Sequence, residues 1–225
     1  MQNAETQKQA ISHQGWGSAG TQPRIAIIGA GISGIAAVVK LRKAGYSNIT
    51  VFEKSDRVGG TWRENTYPGL SCDVPSRYYS FSFALKADWE YRYSYGPDIQ
   101  AYMESVANDF GVTASVRFNT GVSRLVYEKP VWRLTTSQGS QETFDVVIAA
   151  TGILHKPVFP NIEGLDDFQG ASFHSAQWDH SIELSGKKVG VVGTGSTACQ
   201  IVGAATPEVG EMYVFQRTPQ WMTPL

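Results

Sequence analysis

Cysteine is scarce. There are two in 225 residues, Cys72 and Cys199, far apart and in neither a metal-binding nor a redox spacing. That excludes a disulfide-stapled scaffold and a zinc site, and it predicts reduced thiols in a cytoplasmic protein. An excess of one charge is also missing, with 20 acidic residues against 19 basic ones. A nucleic-acid or membrane-surface partner is therefore not expected. No apolar run approaches the roughly 20 residues that a membrane span takes. Residues 1–22 are polar and rich in Gln, Ser and Gly, without the charged start and apolar core of a signal peptide. They are expected to form a disordered tail outside the fold, and His13 within it carries no meaning.

What the chain does contain is short apolar runs that end in glycine. Its length suits one or two domains, and 12% aromatic residues favour packed cores and pockets over disorder. The run from Arg24 to Ile28 predicts a buried parallel strand, and Ile32 to Ala44 a helix closed by Gly45. Ile49 to Glu53 follows as a second strand, which makes a right-handed βαβ unit. Lys54 to about Tyr95 reads as a long loop rich in glycine and aromatics, with Tyr91, Tyr93 and Tyr95 alternating along a half-buried extended segment. A second helix is expected from about Pro97 to Phe110, with Ile99, Met103, Val106 and Phe110 on one face. Short strands follow around Val116 to Phe118, Val122 to Tyr127 and Val131 to Thr135, then a buried strand from Phe144 to Ala149. After an irregular stretch from His155 to Ser185, a second βαβ unit starts at Lys187 and carries a strand from Glu211 to Phe215.

Two glycine turns open the two helices of these units. The first is Gly29-Ala30-Gly31-Ile32-Ser33-Gly34, and the second is Gly193-Thr194-Gly195-Ser196-Thr197-Ala198. In the first, Gly29 allows the turn, Gly31 lets backbone approach a pyrophosphate, and Gly34 lets helix pack on strand. The helix N-terminus adds free N–H groups and the positive end of its dipole. Glu53 ends the next strand, where a carboxylate accepts from both hydroxyls of an adenosine ribose. Strand-end alignment sets Val51-Phe52-Glu53-Lys54 beside Val214-Phe215-Gln216-Arg217. A neutral Gln216 followed by the Arg217 guanidinium and Thr218 accepts a 2′-phosphate that a carboxylate would repel. The first turn therefore predicts FAD and the second NADPH. Candidate contacts are Ser33 and Lys54 at the first site, with Thr194, Ser196, Thr197, Gln200, Arg217 and Thr218 at the second.

Two further strings lie between the turns. One is Gly59-Gly60-Thr61-Trp62, then Tyr67-Pro68-Gly69, then Asp73. The other is Phe168, Gly170, His174, Trp178 and Asp179, the pattern FxGxxxHxxxWD. With the two turns, these resemble the fingerprints of type I Baeyer–Villiger monooxygenases, a branch of the flavin-containing monooxygenases. The resemblance covers roughly Pro23 to Thr218. It implies an α/β fold of two Rossmann-like dinucleotide-binding units, the second incomplete. It also implies an enzyme in which NADPH reduces FAD and the reduced flavin takes up O2 as a C4a-peroxyflavin. One oxygen atom then enters beside a ketone carbonyl to give an ester or lactone. Asp73 would lie beside flavin and nicotinamide as the catalytic residue. Gly60, Thr61, Trp62, Tyr79 and Val122 would line the flavin site. His174 and Trp178 would couple domain motion to NADPH binding. Ordinary packing remains the alternative reading for Trp62 and Tyr79, as does a turn or cap for Asp73 and a structural role for His174.

The domains expected on this basis are a tail at 1–22, an FAD-binding domain at 23–152, a linker at 153–185 and the start of an NADP-binding domain at 186–225. A Rossmann half needs a third strand, and the segment after Gly152 holds little apolar material for a core of its own. The expectation is the N-terminal part of a longer protein, which the family completes with a closing flavin-domain strand and an arginine beside the aspartate. Two alternatives stay open: an N- or S-oxidising flavin monooxygenase, and a non-catalytic nucleotide-binding fragment. A disulfide-type reductase would need a CxxxxC after the first unit, and there is none. The ketone and the oligomeric state are not encoded in any motif.

Overall fold

The computed structural model describes residues 22–221. The expected tail falls outside them except for Gln22, which belongs to the fold. Its side-chain amide donates to the Gly45 carbonyl at 2.8 Å and accepts from the Ser47 amide at 2.7 Å. The tail boundary is therefore corrected by one residue: Gln22 ties the chain to the turn before the second strand.

β1 (Ile25–Ile28), α1 (Ile32–Lys43) and β2 (Ile49–Phe52) form the first βαβ unit. β1 is apolar at every position because it is covered on both faces, and Ala26 and Ile27 are fully buried. α1 ends in the basic residues Lys40, Arg42 and Lys43. Arg42 donates to the Phe110 and Gly111 carbonyls at 3.0 and 2.9 Å. Those carbonyls close α3 (Gly96–Asp109), so one guanidinium serves the C-terminal ends of two helices, where cations are favoured. Between β2 and α3 lies the expected loop, with one short helix in it, α2 (Thr61–Glu64). Ile99, Met103 and Val106 on α3 are buried against Ile35 and Val38 of α1 and Val51 of β2. Phe110, assigned to the same face, instead lies past the helix end and is 39% exposed.

β3 (Val116–Arg117), β4 (Val122–Glu128), β5 (Val131–Thr136), β6 (Gln141–Phe144) and β7 (Val146–Ala149) complete the first unit. A parallel sheet runs in the order β3-β2-β1-β7, and β4-β5-β6 form an antiparallel sheet of their own. The single strand expected from Phe144 to Ala149 is thus two strands in two sheets. Asp145 makes the break. Its carboxylate accepts the Arg24 amide at 2.7 Å and its own amide donates to the Arg24 carbonyl. Phe144 points into a small core with Ala26, Phe52 and Leu134, which joins the two sheets. β7 is less buried than its sequence predicts because it is the edge strand, and Ala149 is exposed.

The segment from 153 to 185 holds only two short 3-10 turns, Leu165–Asp167 and Ser175–Gln177. The second unit follows as β8 (Lys188–Val192), α4 (Ser196–Ala205) and β9 (Glu211–Phe215), with β8 and β9 parallel. Among the described residues no helix is long and apolar enough to cross a membrane. Both cysteines are free thiols.

Gly34 sets the crossing of α1 on β1. A Cβ there would stand 1.9 Å from the Gly29 carbonyl oxygen. A Cβ on Gly203, later in α4, would meet nothing within 4 Å. Gly34→Ala is expected to destabilise the chain by about 1–3 kcal/mol or more, as overpacking against backbone does. Gly203→Ala is expected to stabilise it by about 0.5–1 kcal/mol through helix propensity. Urea unfolding followed by circular dichroism measures both, and equal midpoints for the two variants would refute the contact.

Candidate functional site

The first glycine turn is shaped by Glu53. Its carboxylate is buried, and its two oxygens accept the Ala30 amide at 2.8 Å and the Ser55 amide at 3.0 Å. Each carboxylate oxygen has a second lone pair free for a further donor. The carboxylate thus stands at the end of β2 directly beside the turn. α1 begins after Gly31 with no side-chain cap and no acidic residue in its first turn. Ile32 and Ser33 are exposed there, while Gly34 and Ile35 are buried. An uncapped, solvent-facing helix start of this kind is a ready site for an anion.

Gly59 and Gly60 lean over this turn. Gly59 donates to the Ala30 carbonyl at 3.1 Å, and a Cβ on Gly60 would stand 3.0 Å from the Gly31 Cα. The cradle is made of backbone from two loops, and a side chain on Gly60 or Gly31 would fill the space between them. Thr61 is exposed at the start of α2. Trp62 donates its indole N–H to the Tyr79 hydroxyl at 3.0 Å, and the two rings meet edge-on at 5.6 Å. Both also pack against the main core, as ordinary packing would have them. Lys54 pairs with Glu64 of α2 at 2.7 Å, so its ammonium closes the loop between them. Val122 packs with the Phe52 and Phe144 core under the end of β2.

The second turn repeats the first. α4 follows Gly195 without a side-chain cap, and Gly195 and Ser196 are exposed. The Thr194 hydroxyl donates to the Thr218 carbonyl at 3.1 Å, which draws the segment after β9 back over the turn. Gln216 and Arg217 are exposed just beyond β9.

The two turns are joined through residues 66–73. The Ser196 hydroxyl donates to the Asp73 carboxylate at 2.9 Å, which brings the predicted catalytic residue to the start of α4. Gln200 accepts from the Tyr67 hydroxyl at 2.9 Å and donates to the Ser71 carbonyl at 2.9 Å, so its amide is engaged by the first unit. Tyr67, Leu70 and Ile201 bury an apolar patch beside it, with Trp178 packed on top. His180 shares a 2.8 Å hydrogen bond with Thr66. Sequence patterning does not announce this junction. Its one sequence signal is the Tyr67-Pro68-Gly69 string, and no spacing rule pairs it with Gln200.

Apart from Trp178, which packs on the junction, the FxGxxxHxxxWD residues sit in local structure. His174 caps the turn Ser175–Gln177 by accepting the Ala176 amide at 3.1 Å, and its ring meets Phe159 edge-on. Asp179 accepts from the Ser181 hydroxyl and amide, and these hold its carboxyl below the usual range. Phe168 is largely exposed.

A chain with two such strand–turn–helix units is an α/β protein of the Rossmann-like dinucleotide-binding class. A family model for flavin-binding monooxygenase-like proteins matches residues 22–224, and the chain belongs to that family. A Baeyer-Villiger monooxygenase of Streptomyces coelicolor is 46% identical over 203 residues, which are 89% of this chain and 39% of that protein. The crystal structure of a cyclohexanone monooxygenase mutant from Rhodococcus sp. Phi1 bound to NADP+ superposes with a TM-score of 0.83 at 39% identity. It covers 91% of this chain and 40% of that one. The crystal structure of OTEMO in complex with FAD and NADP gives a TM-score of 0.82 at 37% identity, over 91% of this chain and 41% of that one. The chain thus spans about two fifths of the length of the relatives it matches.

Burial raises the phenol pKa of Tyr67, Tyr79 and Tyr102. Hydrogen bonds from Thr197, Trp62 and the Phe81 amide respectively oppose it, and Asp73 adds to the rise at Tyr67 and Tyr79. Burial also pushes the Cys72 thiol up, which leaves it a poor nucleophile. A raised folded-state pKa means that the native chain holds protons the unfolded chain has released. The stability these phenols contribute is complete below the free tyrosine value of about 10 and lost as pH rises through their folded values. Ultraviolet titration near 295 nm should show a late-ionising group of tyrosines, and Tyr67→Phe should shrink it. A single transition at the free value would contradict the burial of these rings.

Proposed function

We propose that the chain carries the FAD and NADPH sites of a Baeyer–Villiger type flavin monooxygenase, whose substrates are a ketone and dioxygen. With Gln22 tied to it, the stretch 22–152 is read as the flavin unit, 153–185 as the linker and 186–225 as the start of the NADP unit. The observation that carries this reading is Glu53, a buried carboxylate with unused acceptor capacity set beside an uncapped helix start. That donor and acceptor set fits a dinucleotide: N–H groups for the pyrophosphate, a carboxylate for the ribose hydroxyls, and a glycine cradle that a Cβ would fill.

Bound FAD would supply two-electron redox chemistry with NADPH and with dioxygen. The chain's own residues bind and orient. Gly29, Gly31, Ser33 and Gly34 offer backbone to the flavin pyrophosphate. Lys54, Gly60, Thr61, Trp62, Tyr79 and Val122 border the same site. Thr194, Gly195, Ser196, Thr197, Gln200 and Thr218 border the second, and Arg217 sits where a 2′-phosphate would follow Gln216. Asp73 lies between the two sites and holds the Ser196 hydroxyl proton. Its charge also reaches Tyr79 at the border of the first site, where it adds to the rise of the phenol pKa. The names of the relatives favour oxidation of a cyclic ketone over nitrogen or sulfur.

A second reading, nucleotide binding without turnover, is favoured by the exposure of Val192, Tyr213 and Phe215 on the two-stranded β8-β9 sheet. Apolar area of that kind asks for further protein against it. The readings part in one measurement: NADPH-dependent oxygen uptake by the FAD-loaded chain, with and without cyclohexanone. Ketone-stimulated uptake supports the enzyme, and none at all supports the binding unit.

Glu53→Gln is expected to weaken FAD binding by about 1–3 kcal/mol, the range for charged hydrogen bonds. Flavin retention equal to that of the parent chain would sink the assignment of the first site. Arg217→Ala is expected to raise the Kd for NADPH about tenfold or more while leaving NADH unchanged. Equal shifts for the two nucleotides would make Arg217 a surface residue.

A further inference from the structure

Gln100 is a buried amide in an apolar helix face. It lies on α3 between the buried residues Ile99 and Met103, with 8% of its surface exposed. Its Nε2 donates to the Val58 carbonyl at 2.8 Å and to Glu104 Oε1 at 2.7 Å. Its Oε1 is buried and accepts no hydrogen bond among the described residues. An unsatisfied buried acceptor costs about 1–3 kcal/mol, and leucine would fill the same space without it. The position of the amide is what leucine lacks. Gln100 Oε1 stands 1.8 Å from where a Cβ on residue 59 would project, so the amide occupies the space under Gly59 that this glycine leaves. Gly59 has φ +126°, which glycine alone adopts readily.

Three contacts then fix the turn. Gln100 holds the Val58 carbonyl from α3. The Gly59 amide holds the Ala30 carbonyl in the first glycine turn. Gly60 closes on the Gly31 Cα. A hydrogen bond in this low-dielectric setting is both stronger and harder to replace by water.

We infer that Gln100 is a positioning residue, which sets the height of the Gly59–Gly60 turn over Gly31 and so preforms the cradle. This rests on the flavin reading of that cradle. Gln100 acts through Val58 and Gly59. Polar residues that are kept in a core at a cost to stability are expected where geometry serves function. The charged groups facing it are Glu104 on its own helix and Arg57 on the loop, which pairs with Glu104 at 3.7 Å.

Gln100→Glu tests this with almost no change in volume. A carboxyl at this place donates to the Val58 carbonyl only when protonated. Burial and the neighbouring Glu104 raise its pKa, so between about pH 5 and about pH 9 it passes from donor to charged acceptor. The FAD Kd of the parent chain, read by quenching of flavin fluorescence, should be nearly flat over that range. That of Gln100→Glu should come closest to it at the acid end, where the single O–H can replace the bond to Val58 but not the one to Glu104, and rise at least about tenfold toward the alkaline end. Amide exchange at Gly59 and Gly60 in the FAD-free chain, taken as a ratio to the parent at each pH, should rise in parallel. Gln100→Met, which keeps the bulk and has no N–H, should weaken FAD at every pH with an unchanged far-ultraviolet dichroism spectrum. A flat Gln100→Glu profile, or a Gln100→Met variant that binds FAD like the parent, overturns the inference. A parent chain that binds no FAD refutes the flavin reading instead, and the exchange ratio at Gly59 and Gly60 still decides the clamp.

Discussion

The approach of Gly34 to the Gly29 carbonyl sets how closely α1 can lie on β1, and most of the molecule follows from it. With no side chain between them, the helix starts almost in contact with the strand end. Its buried face, Ile35, Val38 and Val39, then reaches Ile27 and Val51 in the sheet and Met103 and Val106 on α3. The same approach leaves the first N–H groups of α1 facing outward instead of into a cap. Packing and site therefore share one cause. The helix start is available to an anion because the helix sits where the core needs it.

The two units meet through a mixed contact. Its apolar part is small: Tyr67, Leu70 and Ile201, with Trp178 laid across them. Its polar part is dense: Gln200 with Tyr67 and Ser71, Ser196 with Asp73, and His180 with Thr66. Such contacts resemble transient interfaces more than a domain core, so relative motion of the two units is the default expectation. Residues that join the units also border the proposed cofactor sites. Motion at the junction and occupancy of the sites would then be linked through the same side chains.

Local patterns were legible where one short stretch of chain decides the outcome. The runs at Ile25 and Ile49, the helix opened by Gly31 and closed before Gly45, and the start of α4 stand where the patterning places them. Patterning misleads where a distant partner decides. Phe144 and Val146 look continuous in sequence, yet Asp145 and Arg24 divide them between two sheets. Gln22 looks like tail, yet the turn at Gly45 and Ser47 recruits it. Gln100 looks like a polar lapse on an amphipathic helix, and its meaning lies in Val58, far away along the chain.

The sequence by itself determined that the chain is built from two strand–turn–helix units, that Glu53 ends the strand after the first turn, and that Gln216 and Arg217 stand at the matching place in the second. These follow from periodicity, glycine conformation and spacing, which act over a few residues. Only the tertiary structure decided that Asp73 meets Ser196, that Gln200 is held by Tyr67 and Ser71, and that an amide on α3 underlies Gly59. Those contacts join segments that pattern alone does not pair. Hydrogen bonds are short and directional, and which groups come within reach of one another is settled by how the helices and sheets pack.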